Sequence, residues 1–171
     1  MAIALLTLAL VGTLGLGGAI LIGYRVPGDA GLMRTHFVVA LVTTTVLVMA
    51  HSFIMFFLIA TGVELKDMEK ERGWGDSFRR RTIAFKSRVF PMMTLALLLV
   101  MANFILGAAA HTRALPAWLH EGLAWTTFLV CAFTLHREYR VLGENNKLID
   151  EAARRRRGDV RVAEASRPGN G

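Results

Sequence analysis

Five histidines, at positions 36, 51, 111, 120 and 136, and one cysteine, Cys131, are the residues of this 171-residue chain that could ligate a metal ion or a haem. His51 stands out by its surroundings. It lies inside residues 35–63, a run of 29 residues without Lys, Arg, Asp or Glu, and a bilayer core needs only about 20 apolar residues in a helix. An ionisable side chain at such depth costs roughly 2.5 kcal/mol or more unless it stays neutral and finds a partner. Two chemistries satisfy that demand. His51 either ligates a haem b, with a methionine between Met93 and Met101 or a second histidine opposite, or it is a neutral imidazole hydrogen-bonded to Thr44, Asn103 or a backbone carbonyl.

On an ideal helix His36 and His51 lie about 60° and about 22 Å apart, so they share a face at two depths. His36, His111 and His120 all fall near the ends of apolar blocks on one side of the expected topology. Three neutral imidazoles from three helices form a candidate set for a transition metal or a haem edge. The bland alternative is that they are interfacial polar residues. On the last helix His120, Ala124, Thr127 and Cys131 share a stripe, whereas His136 lies about 160° from His120 and is followed by Arg137, Glu138, Tyr139 and Arg140. His136 therefore reads as an interface residue, and Cys131 as a small buried apolar one. Paired histidines on a helix are similar to the layout of membrane b-type cytochromes, in which two helices each carry two haem ligands. Helix two matches through His36 and His51; helix four departs from it through the opposed faces of His120 and His136.

The elements that must position these residues follow from composition. The chain is 54% hydrophobic with a mean hydropathy of +0.45, too apolar for an ordinary soluble domain. Four apolar blocks predict an all-α integral membrane protein. It is expected to be a four-helix transmembrane bundle over residues 1–141, with helices at about 2–24, 36–62, 90–111 and 117–139, and a basic tail over 142–171 that is helical and then disordered. The net charge of +7 would suit nucleic acid, but 17 of the 20 Lys and Arg lie in 63–88 and 137–171, beside apolar blocks. That distribution fits the positive-inside rule and excludes nucleic acid as the partner. Both termini and the 63–88 loop are accordingly expected in the cytoplasm of a cell whose inner membrane holds the protein. Arg79, Arg80 and Arg81 are read as an anchor to anionic lipid.

Within helix one, Gly15, Ala19 and Gly23 recur every four residues, which predicts a face for close helix packing. Helix two is expected to continue beyond the membrane until Gly73-Trp74-Gly75 stops it. Helix three should begin near Pro91, a residue tolerated in a first turn, and the short connection 112–116 makes helices three and four antiparallel neighbours. A single cysteine excludes an intrachain disulfide and CxxC redox chemistry. No H-E-x-x-H, Glu-x-x-His or G-x-S-x-G motif is present, so the chain carries no enzyme signature of those classes. The leading expectation is a membrane electron-transfer subunit holding haem b or a metal through His51 and the outer histidines. The alternative is a cofactor-free structural or assembly subunit, partnered by other membrane subunits or by copies of itself.

Overall fold

The computed structural model describes residues 1–29 and 31–165, and within them every regular element is helical. Four long helices follow one another: α1 (Ala2–Gly23), α2 (Gly31–Arg72), α3 (Ser77–His111) and α4 (Ala117–Ala165), with a single 3-10 turn at Val26–Gly28 between the first two. They form a bundle in which α1 packs chiefly on α2, α3 lies between α2 and α4, and α2 meets α4 across the middle. Three segments, Ala2–Gly28, Gly31–Arg72 and Ser77–His111, are long and apolar enough to cross a membrane, as a membrane protein requires. Four crossings were expected. The helix outside this set is α4, whose apolar stretch includes His120 and Glu121 near its start.

Small residues set the close approach of α1. A Cβ at Gly12 would lie 2.9 Å from Leu47, one at Gly15 2.6 Å from Thr43 Oγ1, and one at Gly23 3.1 Å from the His36 ring. Glycine lets the two backbones come together and leaves dispersion contacts to hold them, which is how helices associate where lipid offers no hydrophobic drive. The expected Gly15–Ala19–Gly23 face is the face that meets α2.

Three helices run further than their apolar blocks. α2 continues to Arg72 and is turned by Gly73 (φ +63) and Gly75 (φ +81), left-handed positions that favour glycine. α3 begins at Ser77, well before Pro91, which sits inside the helix and is exposed. The expected start failed because the stretch before the proline keeps a buried face of its own, Phe78, Thr82, Phe85 and Val89 at three- and four-residue spacing. That packing outweighs the lost backbone hydrogen bond and the ring clash at Pro91. α4 runs unbroken from Ala117 to Ala165, so the helical part expected of the 142–171 tail is a continuation of the same helix, its buried face extended by Val141, Leu142, Leu148 and Ala152. Beyond the end of α1, then, α2, α3 and α4 form a three-helix stalk with an apolar core. The disorder expected at the chain's end falls, past residue 165, outside the described residues.

Candidate functional site

His51 and Glu138 meet in the centre of the bundle. His51 Nδ1 and Glu138 Oε1 are 2.6 Å apart, and both side chains are 0% exposed. The imidazole projects from the middle of α2 and the carboxylate from α4, so the bond joins the two helices that face each other across the bundle. Apolar layers close the pair on either side. Leu16, Leu47, Ala96, Val100 and Cys131 form one of them, and Ala50, Ile54, Leu58, Val89, Met93 and Leu142 belong to the other. The remaining polar atoms of the pair, His51 Nε2 and Glu138 Oε2, are buried without a hydrogen-bond partner, as is Thr134 Oγ1 one turn away on α4. One hydrogen bond thus serves a cluster that could make several.

Glu138 was not singled out by the sequence, and the partners expected for His51 were Thr44, Asn103 or a carbonyl. The obstacle was depth. α2 remains apolar for about ten residues past His51, whereas α4 turns polar at His136, so the two appeared to lie at different levels. The contacts His51–Glu138 and Thr61–Asn145 show that the levels coincide. His136, Arg137, Tyr139 and Arg140 point outward, with the Arg137 guanidinium 4.9 Å from the centre of the Phe133 ring, and only Glu138 turns inward. The signal was the stripe itself: Thr127, Cys131, Thr134, Glu138, Leu142 and Asn145 recur at three- and four-residue spacing and are all buried.

A second polar layer lies toward the stalk. The Thr61 hydroxyl is 3.0 Å from Asn145 Oδ1 and 2.9 Å from the carbonyl of Phe57, so its single proton serves one acceptor at a time. Asn145 Nδ2 and Thr82 Oγ1 have no partner there. Beyond it, Glu69 accepts hydrogen bonds from the backbone N–H of Phe78 at 2.6 Å and of Arg79 at 3.0 Å. It caps α3 in place of Asp76, the N-cap residue, whose side chain makes no capping bond. Two arginines of the 79–81 run are held by acids, Arg80 by Asp76 and Arg81 by Glu151.

At the opposite end, His36 Nδ1–H donates to the carbonyl of Ala19 at 3.0 Å, which fixes its tautomer because a carbonyl can only accept. His120 rests against Gly107, close enough to His36 for their charges to interact. His111 is exposed at the end of α3, and His136 is exposed on α4. Tyr24 donates its hydroxyl proton to Glu121 and accepts one from Trp125 Nε1 at 2.9 Å, tying α1 to α4. Of the expected outer trio, the structure brings His36 and His120 near one another. Among the described residues no three His, Cys, Asp or Glu side chains converge as a metal ion would need. Asn103, expected to bond across helices, keeps its Oδ1 buried without a partner, and Cys131 is fully buried as a free thiol.

A groove runs along the stalk between α2 and α4, with a volume of about 530 Å³. Met68, Ile149 and Val160 supply apolar surface, Glu64 one negative charge, and Arg156, Arg157 and Arg161 three positive ones. Comparison of the chain with models of known families, with characterised proteins and with solved structures finds no match.

Proposed function

We propose that the protein is a multi-pass inner-membrane docking subunit, with both termini in the cytoplasm, that recruits another subunit through its helical stalk. The groove between α2 and α4 carries this reading. It has an apolar floor of Met68, Ile149 and Val160, with Glu64 among its lining and Arg156, Arg157 and Arg161 supplying most of its charge, which suits an amphipathic helix with acidic flanks, bound by its apolar face. The packed stalk supports the reading further, since a preformed groove limits the ordering cost of binding.

Photo-crosslinkers placed at Met68 and at Val160 in native membranes provide the test. The expected adduct is one protein through an acidic, amphipathic segment, lost when Arg156 and Arg157 are changed together to Glu. Absence of any adduct, or the same adduct from the charge-reversed variant, would overturn the docking reading. A Soret band, or stoichiometric iron, copper or zinc in gently purified protein, would favour the histidine-ligated electron-transfer subunit instead.

A further inference from the structure

We infer that the seam between α2 and α3, at the level where both helices leave their apolar blocks, binds one anionic phospholipid, its phosphate held by Lys66, Arg79 and Lys86 and its acyl chains laid along Met55, Ile59 and Phe90. The argument starts from the cations that already have partners. The first turns of α3 carry five, and three of them are paired: Arg80 with Asp76 at 3.1 Å, Arg81 with Glu151 at 2.7 Å and Arg88 with Glu144 at 3.2 Å. Arg79 and Lys86 form no ion pair among the described residues, and on an ideal helix they lie about 20° apart, on one flank. The run Arg79–Arg81 thus does not act as a unit: two of its members are engaged by acids and the third belongs to this flank.

That flank faces α2. A Cβ at Gly62 would collide with Lys86 Nζ and come 2.7 Å from Thr82 Cγ2, so glycine at 62 leaves the lysine the room to cross the seam. Lys66 lies one turn beyond Gly62 and about 40° from it on an ideal helix, which puts it on the α3 side as well. The two helices run antiparallel, with Glu69 of α2 capping Phe78 and Arg79, so Lys66 stands in height between Lys86 and Arg79. The exposed acids of α2 are elsewhere. Glu64, Asp67 and Glu71 share a face with Ala60 and Val63, centred about 130° from Lys66 around an ideal helix.

Height selects the ligand. The uncharged run of α2 ends at Val63, next to Gly62, so with the bundle inserted in a bilayer Lys86 sits where hydrocarbon gives way to headgroups. Toward the bilayer centre the flank continues as Met55 and Ile59 on α2 and Phe90 on α3, uncharged and partly or fully exposed. Cations above an apolar strip match a phospholipid whose headgroup carries a net negative charge; a free phosphate would use the cations and leave the strip idle. The inference rests on the membrane reading of the bundle and not on the stalk groove, so crosslinking at Met68 and Val160 tests the docking reading independently.

The experiment is native mass spectrometry of the full-length protein in a non-ionic detergent, titrated with phosphatidylglycerol or with phosphatidylcholine of the same acyl chains. One phosphatidylglycerol should bind about tenfold more tightly than phosphatidylcholine, and excess glycerol 3-phosphate should not displace it. Lys66→Gln with Lys86→Gln should remove most of that preference, whereas Arg80→Gln with Arg81→Gln should keep it, the two double variants being compared at equal helicity by circular dichroism. Equal affinity for the two lipids in the wild type would overturn the inference without recourse to any variant. So would displacement by glycerol 3-phosphate, which would make this a site for a free phosphate, or a preference that survives the Lys66 and Lys86 changes and is lost with those at Arg80 and Arg81.

Discussion

Two glutamates are buried in this bundle, Glu69 at 3% exposure and Glu138 at 0%, and they are treated in opposite ways. Glu69 stands at the α2–α3 turn with each oxygen accepting a backbone N–H, so its charge meets the positive end of a helix. Glu138 has one oxygen on an imidazole and the other on nothing. A carboxylate whose lone pairs are met by immovable backbone donors has little to do except hold two helices together. One that meets a single imidazole ties α4 to α2 through that one contact. Burial alone does not describe an acid; the nature and number of its partners do.

The largest test of that contrast is His51→Ala. Removing one member of a buried pair leaves the other uncompensated and costs about 3 kcal/mol or more, whereas an ordinary polar contact between membrane helices averages about 0.6 kcal/mol. Unfolding in detergent micelles should show the larger loss, and a change below about 1 kcal/mol would reduce His51–Glu138 to an ordinary contact. Glu69→Ala comes next. Two backbone donors lose their acceptor, which costs about 1–2 kcal/mol, and the loss should be local: hydrogen exchange at the Phe78 and Arg79 amides should accelerate while the centre of the bundle stays protected. Global acceleration would make Glu69 a core residue rather than a cap. The smallest effect is expected from Glu144→Gln, whose partner Arg88 and own side chain are 59% and 41% exposed. Its removal should shift stability by less than about 1 kcal/mol, and a larger shift would mean that exposure, too, is a poor guide to the role of an acid here.

Much of the architecture was legible because apolar blocks and glycine spacing report directly on helices that lipid and close packing demand. The 35–63 run gave α2, the Gly15–Ala19–Gly23 spacing gave the α1 contact, and Gly73 and Gly75 marked the turn. What stayed hidden had a common cause. Where the sequence becomes charged, a helix in water still needs one buried stripe, and that stripe is sparse: Phe78, Thr82 and Phe85 on α3, and Leu142, Leu148 and Ala152 on α4, are diluted by solvated neighbours. Glu138 was lost in the same way, one inward residue among four outward ones. The histidines were visible as residue types, but helix register decided which of them would meet, and single-helix geometry does not contain register.

The weak apolarity of α4 bears on how the molecule is made. α1, α2 and α3 each carry a segment fit to enter a bilayer by itself, and they come first in the chain. α4 brings His120 and Glu121 at one end and Glu138 at the other, a poor sequence to release alone into lipid. Its polar side chains are accommodated only by groups already in place, Tyr24 for Glu121 and His51 for Glu138. The side chains of α4 that lipid would serve poorly therefore meet partners on α1 and α2, so α4 expressed without those helices is expected to insert less stably than in the whole chain, which a membrane-insertion assay of the separated helix would read.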